Sequence, residues 1–131
     1  MSFLYVFAAI IVAFLAYVRL APSDPRRWHV DLSISENETL QGGAKRIVAA
    51  ELARLHQIAL TEPQTTVLVG SVEDGKVTYV SRTKLIGFPD YTTVQSKAGG
   101  LMVYGRLRFG RSDFGVNARR VDGWIAALSA A

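Results

Sequence analysis

Leu101-Met102-Val103-Tyr104-Gly105-Arg106-Leu107-Arg108-Phe109 alternates residue by residue. Successive side chains of a strand point to opposite faces. Leu101, Val103, Leu107 and Phe109 therefore share one face with Gly105, and Met102, Tyr104, Arg106 and Arg108 share the other. Such a pattern predicts an antiparallel sheet with one face buried and the other exposed and basic. Reading backward, Gly99-Gly100 marks a tight turn, and Tyr91–Lys97 reads as the preceding strand. Gly87-Phe88-Pro89-Asp90 is a turn, Lys76–Ile86 a strand, and Asp74-Gly75 a type I′ hairpin turn closing on Thr65–Glu73.

Helices flank these four strands. Forward, Gly110-Arg111-Ser112-Asp113-Phe114-Gly115 leads into a segment whose Val121, Trp124, Ile125 and Leu128 form an apolar helical stripe. Backward, Ser35-Glu36-Asn37-Glu38 has the Ser-x-x-Glu spacing of a capping box. Leu40, Ala44, Ile47, Val48, Leu52, Leu55 and Ala59 follow at helical spacing, weakened at Gly42-Gly43 and ended by Glu62-Pro63. Trp28-His29-Val30-Asp31-Leu32 reads as a short strand or edge segment. The expected fold class is α+β: an N-terminal transmembrane helix, then a four-stranded antiparallel meander with two helices packed on one face, in the order α-β-β-β-β-α.

Met1 to Val18 carries no charge. Eighteen helical residues span about 27 Å, enough for a bilayer core, and apolar side chains encircle the segment without a polar stripe. Tyr5 and Tyr17 lie near its ends, where aromatic rings prefer the interface. A cleaved signal peptide is the competing reading, but no Lys or Arg precedes Arg19 and no good A-x-A site precedes Pro22. Ala21-Pro22-Ser23-Asp24-Pro25 ends the helix. The expected organisation is a membrane anchor at 1–21, a linker at 22–27 and a small α+β domain at 28–131. The expected location is the cytoplasmic (inner) membrane as a single-pass protein. Arg19, Arg26 and Arg27 follow the helix, so the positive-inside rule favours a cytoplasmic domain.

The chain has 131 residues and no cysteine, which excludes disulfides, thiolate metal sites and cysteine nucleophiles. Residues 1–75 carry 6 Lys+Arg against 8 Asp+Glu, and residues 76–131 carry 9 against 3. A basic C-terminal half suits an anionic surface or simply a solvated face. His29 and His56 lack ligand spacing, so neither metal nor cofactor is expected. Gly105 to Ser112 approaches the phosphate-loop spacing, with Arg111 in the lysine position and strand alternation inside the motif. A Ser112–His29–Asp90 triad is conceivable, but no sequence feature gathers it. Asp113, Gly110 and Gly115 read as turn and cap residues before a helix. Arg108, Arg111, Ser112, Asn117 and Arg120 are the candidates for holding an anion at that helix start.

Arg108-Phe109-Gly110-Arg111-Ser112-Asp113-Phe114-Gly115-Val116-Asn117-Ala118-Arg119-Arg120-Val121 resembles the signature of the domain-of-unknown-function family numbered 1499. Arg108, Gly110, Ser112, Asp113, Gly115, Asn117, Arg120 and Val121 match its pattern, while Leu107 stands where the family usually has serine. Ser81-Arg82 and Gly87-Phe88-Pro89-Asp90 are similar to its second block, and the resemblance covers roughly 28–128. The Pro-Asn-Cys start of many relatives is absent. The resemblance implies a membrane-anchored bacterial member, often exported, which opposes the cytoplasmic placement; it implies no activity. The reading is a non-catalytic interaction domain, an accessory or assembly subunit with a membrane-complex partner. The alternative is a binding module for an anionic ligand or lipid headgroup, and a small hydrolase comes third. The bilayer is the partner of residues 1–21, and no nucleic acid is expected.

Overall fold

The computed structural model describes residues 2–84 and 86–130. Helix α1 (Ser2–Leu20) is followed by a single turn, α2 (Pro25–Trp28). Strands β1 (Glu38–Leu40) and β2 (Gly43–Val48) precede helix α3 (Leu52–Ala59). Then come β3 (Thr65–Ser71), β4 (Lys76–Arg82), β5 (Pro89–Lys97), β6 (Gly100–Leu107) and helix α4 (Val116–Ser129). The strands form one antiparallel sheet in the order β1-β2-β6-β5-β4-β3.

The α+β class holds, but the four-stranded meander is corrected to six strands. The segment read as the early part of a long helix is the β1–β2 hairpin instead. Gly42-Gly43 breaks any helix there, and Gly43 pairs with Arg106 so closely that a Cβ would collide with the Gly105 carbonyl oxygen. Ala44 faces Gly105 across the strands and is fully buried. The helix begins at Leu52 with Glu51 as its N-cap, so Ser35 does not cap it.

Two smaller expectations also change. Ser71 pairs with Lys76, leaving a four-residue connection in which Gly75 has φ +78 and Asp74 does not have a positive φ. A type I′ turn needs positive φ at both central residues, so Asp74-Gly75 does not form one. Trp28 ends α2, and residues 29–34 run without regular structure over the sheet instead of forming a strand.

Both α3 and α4 cover one face, as expected. Leu52, Leu55 and Ala59 of α3 and Val121 and Trp124 of α4 pack on Val77, Tyr79, Val94, Leu101 and Val103. The opposite face was expected to be exposed and basic. It is covered instead by residues 21–34. Trp28 stacks on Tyr91 with centroids 3.9 Å apart beside Val80, and Leu32 donates its N–H to Gln95 Oε1 at 2.7 Å. Arg106 and Met102 are consequently buried.

Helix α1 is almost wholly exposed, yet its last turn is built into the domain. Val18 and Ala21 are buried, and the Val18 carbonyl accepts from Arg82 Nη1 at 3.2 Å. Arg19 Nε donates to the Ile86 carbonyl at 3.1 Å. Phe14 meets Phe88 and Tyr17 meets Phe109, with ring centroids 6.3 and 6.0 Å apart.

Candidate functional site

The start of α4 organises the polar residues singled out in the sequence. The chain leaves β6, turns at Gly110 with φ +95, and reaches the helix through Phe114 (φ +52) and Gly115 (φ +80). The Asp113 carboxylate accepts from the N–H of Gly115 at 2.9 Å and of Asn117 at 3.1 Å. It also accepts from Asn117 Nδ2 at 2.9 Å. Burial alone would raise the Asp113 pKa; the donors from Asn117 and Gly115 outweigh it and hold the carboxyl below its ordinary value. Ser112 Oγ accepts from the Phe114 N–H at 3.2 Å.

From this cap a chain of partly buried polar contacts runs along the helical face. Asn117 is fully buried, and its Oδ1 accepts from Arg120 Nη1 at 3.0 Å. The same guanidinium reaches Asp90 Oδ2 at 3.3 Å and lies 3.9 Å from Glu62 Oε2. Glu62 Oε1 in turn accepts from Trp124 Nε1 at 2.7 Å. Burial pushes the Asp90 carboxyl up, only partly offset by Arg120. The chain joins three segments distant in sequence and fastens α4 to the start of β5 and to the loop after α3.

The five anion candidates do not converge on one point. Asn117 and Arg120 belong to this chain of contacts, and Ser112 closes the turn. Arg108 leans toward the other face, where Nη1 donates to Tyr91 Oη at 3.0 Å and to the Pro22 carbonyl at 3.1 Å. Arg111 is exposed on the loop. Asp113 itself occupies the N–H groups that would otherwise meet an anion at the helix start.

A second polar centre, on the opposite face, was not anticipated. Arg106 Nη1 donates to Thr93 Oγ1 and to the Tyr104 carbonyl, each at 2.9 Å, and Nη2 donates to the Trp28 carbonyl. Burial lowers its pKa to about 10, against support from Tyr104 and Tyr91. Thr93 Oγ1 also contacts Thr78 Oγ1 at 2.8 Å, which contacts His29 Nδ1 at 2.8 Å. Alternation placed Arg106 on its face, but nothing in residues 21–34 announced a lid.

The sheet separates the conceivable triad: His29 lies against Thr78 on one face, while Asp90 meets Arg120 on the helical face. His56 Nδ1 pairs with Tyr79 Oη at 2.7 Å. Gly105 to Leu107 continues as strand, so no nest of amides forms in the phosphate-loop-like stretch. Among the described residues no group of three or more acidic or imidazole side chains is arranged to hold a metal.

Beside the start of α4 lies a hollow of about 310 Å³ walled by Phe88, Leu107, Phe109, Phe114 and Val116, with Asp90 and Asp113 among its polar lining. Two of its walls, Phe88 and Phe109, are the rings that meet α1.

A model of the family described as protein of unknown function (DUF1499) matches residues 20–128. No curated protein matches the chain.

Proposed function

This chain belongs to the DUF1499 family, and from that premise we propose that it is a non-catalytic domain held at a membrane surface by an uncleaved helix, acting as an accessory or assembly subunit of a membrane complex. The observation that carries the reading is the build of the last turn of α1. Val18 and Ala21 are buried, and Arg82 and Arg19 bridge the helix to the β4–β5 region. A signal peptide cut away after export would take part of this packing with it. The apolar, exposed surface of residues 2–13 supports insertion. Asp113, Asn117, Arg108 and Arg120 of the most distinctive block are engaged in contacts within the domain, which speaks against a catalytic role for them.

Purification of the full chain in mild detergent tests the role. Recovery of a stoichiometric membrane-protein partner supports it, and a chain recovered alone at native expression overturns it. The anionic-ligand alternative narrows to Arg111, which is exposed beside the α4 start. It requires that phosphate or anionic lipid raise the melting temperature of wild type and that Arg111→Ala abolish the rise.

A further inference from the structure

The domain reaches further along α1 than a simple tether requires. Residues 2–13 are all exposed, and at 1.5 Å per residue they cover about 18 Å, against a hydrocarbon core of about 30 Å. A span of adequate length therefore needs Phe14 to Leu20 as well, and those residues are flanked by the domain. Phe88 lies against Phe14, Phe109 against Tyr17, and the Ile86 carbonyl against Arg19. If α1 crosses the bilayer, this edge of the domain stands at the level of the lipid interface.

The surface at that level is apolar and aromatic. Ile86 is exposed, and Phe88, Phe109 and Phe114 wall one shared hollow. Phe114 is 85% exposed and is held at φ +52, a conformation that disfavours a bulky side chain. A large ring presented to water on a strained residue gains nothing for the fold. Exposed Lys84 and Arg111 stand in the two loops that carry these rings, a pairing of apolar and basic groups suited to an anionic lipid surface.

We propose that the edge formed by Ile86, Phe88, Phe109 and Phe114 is seated in the lipid interface beside α1, with Lys84 and Arg111 toward anionic headgroups. This rests on the reading of α1 as an uncleaved anchor. It makes the domain a second membrane contact that fixes its tilt, so the end of the sheet carrying Lys97 and Gly99 faces away from the bilayer. Eight residue steps lead from Pro89 to Lys97 along β5, about 26 Å.

The cysteine-free chain permits a direct test. Single-cysteine variants Phe7→Cys, Ile86→Cys, Lys97→Cys and Phe114→Cys of the full chain are spin-labelled in vesicles of phosphatidylcholine and phosphatidylglycerol. Collision with oxygen and with a water-soluble nickel complex then reports depth. Labels at 86 and 114 are expected to show an oxygen-to-nickel ratio several-fold above that at 97, approaching that at 7. Ratios at 86 and 114 equal to that at 97, with a lipid-like ratio at 7, would overturn the seated edge and leave the anchor standing. A water-like ratio at 7 would instead remove the anchor, and this inference with it. Repeating the measurement at 114 in pure phosphatidylcholine isolates the basic residues: an unchanged ratio there overturns the headgroup role of Lys84 and Arg111.

Discussion

At the scale of single residues, Asp113 separates local from global roles. Its carboxylate caps α4 and also satisfies the fully buried Asn117 amide. Asp113→Ala removes a cap worth about 1 kcal/mol and strands a buried donor at about 1–3 kcal/mol. The expected loss is thus about 2–4 kcal/mol by denaturant titration, whereas exposed Arg111→Ala should stay within about 0.5 kcal/mol. A loss near 1 kcal/mol for Asp113→Ala would mean that Asn117 finds another acceptor. His29 gives a pH dependence. Burial first, then Lys76, lowers its pKa below 6.5, against the weaker pull of Asp31 and Asp74. The unfolded chain therefore takes up the proton first as pH falls. This contribution is complete above the unfolded pKa and is lost as pH drops through 6.5 toward the folded value. Replacing His29 by Gln should flatten the melting-temperature profile between about pH 7.5 and pH 5; an unchanged slope would assign the dependence elsewhere. The cap was legible in the sequence because Ser-Asp-x-Gly before an apolar stripe is a local signal. The Asp90–Arg120 contact was not, because 30 positions separate the two and only the folded sheet brings them together.

Among the elements, the strands from β3 to β6 were legible because alternation and glycine turns act over a few residues. The β1–β2 hairpin was hidden by coincidence: Ala44, Val48, Leu52, Leu55 and Ala59 sit at helical spacing although only the last three are helical. Thr39, Ile47 and Val48, with Gly42-Gly43 between, were the contrary signal. Alternation also placed Arg106 on its face correctly but was silent on what covers that face, since residues 29–34 have no period to read. The seam between α1 and the domain makes a sharper claim. A chain beginning at Tyr17 keeps Val18, Ala21 and the Ser23–Tyr91 hydroxyl contact of 2.5 Å, and one beginning at Arg26 loses all three. Burying one valine side chain is worth about 1.5–3 kcal/mol, so the shorter chain should melt several degrees lower. Equal melting temperatures would make α1 a passive tether. Gly43→Val should be more damaging still, because its side chain would enter the β2–β6 seam at the Gly105 carbonyl. We expect the variant to lose its cooperative thermal transition, and a wild-type-like melt would show that the seam can open without cost.

For the molecule as a whole, the proposed anchoring through α1 is what organises the rest. The full chain should stay with membranes through high-salt and carbonate washes, because insertion of an uncharged helix does not depend on charge. Release by salt alone would reassign the attachment to arginines and lysines. The sheet order carries a further consequence, this time for the order of events during synthesis. The β1–β2 hairpin is the first part of the sheet to be made, but its long-range partner is β6, the sheet's last strand in chain order. Neighbouring strands from β3 to β6 close through short connections, whereas β2 must wait for residues about sixty positions downstream, and non-local pairing of this kind is slow. Until β6 emerges, β2 lacks its long-range partner, and α3 has no finished sheet to cover. Under the proposed early insertion of α1, the domain therefore stays unfinished, and threadable, until β6 and α4 have been made.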